Sequence, residues 1–120
     1  MLQSYKELKV WQKSYQFCLD IYKMTKNFEY SEAYGLVAQM RRASVSIPSN
    51  IAEGYRRRHK AEYLQFLRIA YGSCAELDTQ INLSKDLGFI SRDTYDYLIQ
   101  DCNEISRMLF GLIKSIEAIK

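Results

Sequence analysis

A single proline in 120 residues, Pro48, narrows the fold more than any other feature. A sandwich or barrel needs turn residues every 8 to 12 positions or so, and five glycines and one proline cannot supply them. Apolar residues instead recur in steps of three and four, the signature of amphipathic helices. Long helices with short connections are the expected architecture.

Four stretches carry that period. In the first, from about Lys6 to Asn27, Leu8, Trp11, Tyr15, Cys18 and Tyr22 form one stripe. Val10, Phe17, Ile21, Met24 and Phe28 form a second beside it, and together they make a wide apolar face. The segment FEYSEAYG interrupts the pattern. The second stretch, Ala33 to Tyr55, carries Val37, Met40, Ser44, Ile47, Ile51 and Gly54. Pro48 lies within it, costing about 3 kcal/mol in a helix interior. The stripe continues in phase beyond it, which predicts a kink and not a stop, with Ser44, Ser46 and Ser49 available to satisfy the freed backbone. The third stretch, Lys60 to Leu87, carries Tyr63, Leu67, Ala70, Cys74, Leu77, Ile81 and Ser84, and Gly88 follows as a C-terminal cap. Ser91 is placed to cap the fourth helix, with Asp93 in its first turn. That helix carries Tyr95, Leu98, Cys102, Ile105, Leu109, Leu112, Ile116 and Ile119. Four such helices predict an all-α, antiparallel up-down-up-down bundle forming one domain over residues 1–120.

Composition is that of an ordinary globular chain, 48% hydrophobic and 26% charged. Cys18, Cys74 and Cys102 are odd in number, widely spaced and lack a C-x-x-C pair. They are expected to be reduced, small apolar side chains in a cytoplasmic protein. The polar start MLQSYKELKVW has no apolar leader core, and no apolar run is long enough to span a membrane. Charge is more telling in its distribution than in its sum of +3. Residues 35–70 carry +5, whereas residues 1–34 carry +1 and residues 71–120 carry −3.

Little in the chain points to catalysis. His59 is the sole histidine and has no partner at ligand spacing, so neither a metal nor another cofactor is expected. Glu-x-x-His pairs and glycine-rich phosphate loops are absent. The acidic residues of the fourth helix, Asp93, Asp96, Asp101, Glu104 and Glu117, lie mostly off its apolar seam and read as a solvated face. Ser44, Ser46 and Ser49 have no neighbouring base. The protein is read as non-enzymatic.

The densest charge is the run Tyr55-Arg56-Arg57-Arg58-His59-Lys60 between the second and third helices. Folding back at this connection would gather Arg56, Arg57, Arg58 and Lys60 at one tip, with Arg68 about two turns away and Arg41 and Arg42 farther down the second helix. Arginine forks match phosphate oxygens, and each neutralised phosphate releases counterions. Tyr55 and Tyr63 offer stacking surfaces. The expected partner is RNA or DNA, held through its backbone; the competing reading is a scaffold whose arginines dock an acidic protein.

Two further patterns bear on assembly. In Tyr63–Tyr71 only Gln65 and Arg68 are strongly polar, and one helix face cannot bury Leu64, Phe66 and Tyr71 together. Either the third helix is central and doubly covered, or a second subunit covers it, which points to a homo-oligomer. Gly72 and Gly111, each costing about 1 kcal/mol inside a helix, fit close helix approach. Arg42, Ser46, Asn50, Glu53 and Arg57 line the second helix as a polar stripe. It reads as ordinary i,i+4 pairing or, alternatively, as an inter-subunit network.

The segment YGLVAQMRRASVSIPSNIAEGYRR (Tyr34 to Arg57) closely resembles the signature of the bacterial four-helix-bundle family of 23S ribosomal RNA intervening-sequence proteins. LKVWQKSYQF (Leu8 to Phe17), EYLQFLRIAYGSCAELDTQI (Glu62 to Ile81) and DLGFIS (Asp86 to Ser91) support the likeness. Gln39, Arg42, Ala43, Ser46, Ile47, Pro48, Asn50, Ile51, Ala52, Glu53 and Gly54 match its motif. Arg56 and Arg57 lie where the family keeps some basic character. The resemblance implies an up-down bundle. Through a likeness to the accessory variability protein of diversity-generating retroelements, it also implies a homopentameric barrel that binds nucleic acid and a reverse transcriptase. A ribosomal component is the other partner it brings into view.

Overall fold

A computed structural model describes residues 2–28 and 33–120. A short 3-10 turn at Tyr5–Glu7 precedes four helices, α1 (Lys9–Thr25), α2 (Tyr34–Tyr55), α3 (Lys60–Asp86) and α4 (Arg92–Glu117). They pack side by side into a rod of 49 × 21 × 20 Å. The interrupting segment FEYSEAYG lies partly outside the described residues, at positions 29–32.

Local chemistry sets the helix ends. The backbone turns at Gly88, whose φ of 81° costs a side chain-free residue nothing. The Phe89 amide donates to the Ser84 carbonyl at 2.8 Å and the Gly88 amide to that of Lys85 at 3.0 Å, closing α3 with a Schellman motif. Ser91 then opens α4, its hydroxyl accepting from the Thr94 amide at 3.1 Å. Asp93 sits in that first turn, where the helix dipole favours negative charge. α2 runs without interruption through Pro48. The Ser44 hydroxyl donates to the Arg41 carbonyl at 2.9 Å, and the Ser46 hydroxyl accepts from Ser73 at 2.8 Å. Among the described residues, neither hydroxyl donates to the Ser44 carbonyl that the proline leaves open.

The core consists of Phe17 and Ile21 from α1, Met40, Ile47 and Ile51 from α2, Leu67, Leu77 and Ile81 from α3, and Leu98, Ile105 and Leu109 from α4, all essentially inaccessible. Each contributes roughly 1.5–3 kcal/mol of burial. Cys74 and Cys102 lie among them, and the Cys102 thiol donates to the Cys74 carbonyl at 3.4 Å. Burial pushes both thiols up to about 12, as expected of inert core cysteines. Cys18 is only half-buried and accepts from the Ser44 hydroxyl.

The two apolar stripes of α1 separate. Val10, Phe17 and Ile21 enter the core, whereas Trp11 is half-buried and Tyr15, Leu19 and Tyr22 are 49%, 40% and 38% exposed. α3 behaves in the opposite way. It packs on both α2 and α4, so Leu64 is buried and Phe66 half-buried within one chain. Tyr71 and Ile69 stay exposed. The tight approach falls at Gly54, not at Gly72 or Gly111. A Cβ on Gly54 would lie 2.9 Å from Phe66 Cβ and 3.2 Å from the Tyr63 carbonyl, while open space surrounds the other two. No helix among the described residues is long and apolar enough to cross a membrane.

Candidate nucleic-acid interface

The connection between α2 and α3 places Arg56, Arg57, Arg58, His59 and Lys60 in five successive exposed positions. Gly54 makes this possible, because only a residue without a side chain lets α2 meet Phe66 and Tyr63 so closely at the start of α3. The same end of the rod receives the N-terminal turn and the end of α4. The Tyr55 hydroxyl donates to the Leu2 carbonyl at 3.3 Å, and Arg56 lies over the Tyr5 ring at 5.5 Å. Lys60 donates its ammonium to the carbonyls of Glu117, at 3.3 Å, and Ile119.

These contacts divide the basic residues into engaged and available groups. Lys60 serves α4 by meeting carbonyls that no helical amide reaches. Arg68 pairs with Glu117 at 2.7 Å, and this bond, with further help from Lys114, holds the Glu117 carboxyl below its usual range. Arg57 pairs with Glu53 at 3.4 Å and lies over the Phe66 ring at 5.0 Å. Among the described residues, Arg56 lies over an aromatic face and has no ion pair, and Arg58 has neither a hydrogen bond nor an ion pair. Lys6, Lys9, Lys114 and Lys120 add further positive charge at this end, against the carboxylates of Glu7, Glu53, Glu62 and Glu117. The end remains positive after internal pairing.

Arg41 does not join the cluster. It lies about 22 Å along α2 from Arg56 at 1.5 Å per residue. Its Nε donates to Thr25 Oγ1 at 2.9 Å, one Nη donates to the Tyr22 carbonyl at 3.4 Å, and its guanidinium lies 4.8 Å from the centre of the Tyr22 ring. Arg41 thus fastens the last turn of α1 to α2, a position where a cation also suits the helix dipole. Arg42 is exposed and borders a cleft of about 180 Å³ with Gln39, Ser46, Ser73 and Glu76.

The polar stripe of α2 closes largely within the chain. Ser73 donates to Ser46, Asn50 donates to the Ser46 carbonyl at 2.8 Å and hydroxyl at 3.0 Å, and Glu53 takes Arg57. Tyr55 and Tyr63 are half-buried and meet edge to face at 6.3 Å, which leaves little free ring surface. Burial, and secondarily Tyr55, raises the Tyr63 hydroxyl above its ordinary value.

A second group of aromatics escapes the sequence pattern. Tyr5 meets Trp11 edge-on at 5.3 Å, and Trp11 stacks on Tyr15 at 5.0 Å with 27° between planes. These rings begin at Arg56 and run along the outside of α1 beside α2. Periodicity assigned Trp11 and Tyr15 to the apolar face. The available signal was that α1 carried two stripes where a bundle buries one, and that the surplus stripe was the aromatic one.

A helical bundle with a basic, aromatic-lined end is the class that fold and site define. A model of the 23S rRNA-intervening sequence protein family matches residues 6–111, and the chain belongs to that family. A crystal structure of a protein of unknown function from the S23 ribosomal protein family of Bacteroides thetaiotaomicron VPI-5482 is similar. Its TM-score is 0.82 at 26% identity, and the match covers 88% of this chain and 98% of that one. Among curated proteins, none matches the chain.

Proposed function

We propose that the protein is a non-catalytic accessory factor that binds RNA or DNA through backbone phosphates at the arginine-bearing end of the bundle. The observation that carries this reading is the exposure of Arg56 and Arg58, neither with a carboxylate partner among the described residues, at an end where cations outnumber acids. Arg57 contributes once Glu53 is outcompeted; Lys60, Arg68, Arg41 and Arg42 are secondary, the first three because they already serve the bundle. Membership of a family named for a ribosomal RNA insertion is consistent with a polyanionic partner in the cytoplasm. A reverse transcriptase or a ribosomal component is a further candidate partner.

The working form is a homo-oligomer, a pentamer on the family likeness. Exposed Ile69, Tyr71 and Phe110 supply apolar surface for it, and several copies of the basic end would multiply phosphate contacts. A mobility-shift titration at two salt concentrations tests the binding. The complex should weaken steeply with salt and be lost in an Arg56→Ala/Arg57→Ala/Arg58→Ala variant. No shift at low salt overturns the reading and favours an acidic protein partner. A monomeric mass by light scattering at micromolar concentration overturns the assembly.

A further inference from the structure

The aromatic stripe of α1 borders an open groove against α2. Trp11, Tyr15, Cys18 and Leu19 form one wall; Val45, Pro48 and Ala52 form the other, enclosing about 340 Å³. Its mouth opens at the arginine end into a second hollow of about 330 Å³; Tyr5, Ser49 and Ala52 line both, and Glu53 and Arg56 line the second alone. A nonpolar channel thus starts where the basic cluster stops.

Among the described residues, the charges around this groove are one-sided. α1 holds one acidic residue, Asp20, which turns away to accept from the Tyr97 hydroxyl of α4 at 3.0 Å. α2 also holds one, Glu53, at the mouth, where Arg57 engages it. Glu7, in the preceding turn, accepts from the Gln3 amide at 2.9 Å. Cations stand at both ends, with Arg56 over Tyr5 and Arg41 over Tyr22. Duplex DNA or RNA hides its base faces in the stack and presents phosphates to a flat surface. A single strand presents both bases and phosphates, and a positive groove floored with aromatic rings serves the two together.

We propose that the α1/α2 groove seats a single strand of nucleic acid that enters from the arginine end, with its bases against the Trp11–Tyr15 stack and its phosphates on Arg56. This rests on the nucleic-acid reading above and narrows it from polyanion to unpaired strand. Tyr15, exposed at the end of the ring stack, supplies the outermost platform. Arg56 reads the backbone and Tyr15 the base face, so sequence matters little while strandedness matters greatly.

Trp11 is the only tryptophan in the chain, so its fluorescence reports on the groove directly. The full-length protein is titrated with oligothymidylate, and in parallel with a duplex of equal length, while Trp11 emission and a mobility shift are followed. Saturable quenching by the single strand, with little change from the duplex, is the expected result. Tyr15→Ala should weaken single-strand binding by about 5- to 100-fold, the effect of losing one stacking partner. Tyr15→Phe should restore it, and duplex binding should change less than twofold in either variant. Both variants should retain the helical circular dichroism of the parent.

A shift with oligothymidylate that leaves Trp11 emission and the Tyr15→Ala affinity untouched overturns the groove while leaving binding at the arginine end intact. Failure of both oligonucleotides to bind at low salt overturns the broader reading and this one with it. Quenching by an acidic amphipathic helical peptide but not by either oligonucleotide overturns the proposal in favour of a protein helix. Shielding of Trp11 from acrylamide in the free protein, relieved on dilution, overturns it in favour of a second copy in the groove.

Discussion

The α1/α2 half of the bundle and the α3/α4 half are alike in shape and opposite in charge. Each presents an open groove between two helices, about 340 Å³ lined by the Trp11–Tyr15 pair in one and about 600 Å³ lined by Tyr71, whose ring meets Phe110 at 6.3 Å, in the other. In the first half one carboxylate per helix remains, and both are turned to partners. In the second half α4 alone carries Asp93, Asp96, Asp101, Glu104 and Glu117; Lys13 meets Asp101 and Glu104, Arg92 meets Asp96, and Arg68 and Lys114 meet Glu117, yet the helix stays acidic by count, and Asp78 borders the groove. The proposed choice of a polyanion by the α1/α2 groove therefore rests on the sign of the surrounding field and not on ring content. A polyanion meets attraction along α1 and α2 and repulsion along α4.

The comparison breaks most readily at the arginine end. Alanine at Arg56, Arg57 and Arg58 should abolish the mobility shift at near-physiological salt. With three phosphate contacts gone, the slope of log affinity against log salt should become shallower by about two for a single strand. An unchanged slope would place the phosphates elsewhere.

Gly54→Ala comes next, because that end depends on the close passage of α2 over Phe66. The overlap with Phe66 Cβ and the Tyr63 backbone should outweigh the helix propensity gained, for a net loss of about 1–3 kcal/mol in chemical denaturation. Gly72→Ala and Gly111→Ala, in the acidic half, should have the opposite sign. Each position is helical with open space around it, so each substitution should stabilise the monomer by about 0.5–1 kcal/mol. If those glycines admit the backbone of another subunit, the same changes lower the assembled mass in light scattering, which locates the subunit contact.

Tyr71→Ala and Phe110→Ala should leave the quenching of Trp11 by oligothymidylate in place, since their groove faces the acidic helix, and any fall in affinity should track a fall in assembled mass by light scattering. A loss like that expected of Tyr15→Ala at unchanged mass would erase the distinction between the halves.

The smallest effect concerns acid. Arg68 holds the Glu117 carboxyl below its ordinary 4.5, so the folded value is the lower of the two. Its contribution to stability is therefore complete above about pH 4.5 and is lost as pH falls through the folded value. Comparing Glu117→Gln with the parent in thermal melts should show a small difference at pH 6 that closes towards pH 3. A difference that widens in acid would contradict the pairing.

Helix positions and most of the core were legible because one-sided burial leaves a period of three and four. Met40, Ile47, Ile51, Leu67, Leu77, Leu98 and Leu109 all lie where that period puts them. Gly88 and Ser91 were readable because a positive φ and an orphan amide each favour few residue types. The basic end was visible as a run of charge. What the one-dimensional pattern could not show was which cations had already been recruited. Lys60 caps a helix more than fifty residues away, Arg68 meets Glu117 across a similar separation, and Arg41 fastens α1. Nor could periodicity decide which stripe of α1 faces inward. The core takes Val10, Phe17 and Ile21 and leaves Trp11 half-buried and Tyr15 and Tyr22 exposed. One helix face cannot bury two stripes, a limit that binds α1 more than α3, where α2 and α4 together cover Leu64 and Phe66.

Ultraviolet cross-linking of a bound single-stranded oligonucleotide, followed by mass spectrometry of the peptides, asks most directly which half touches the strand. Cross-links confined to residues 5–22 and 45–63 are the predicted result. Cross-links at Tyr71, Tyr97 or Phe110, with the arginine end and α1 unmarked, would contradict the account.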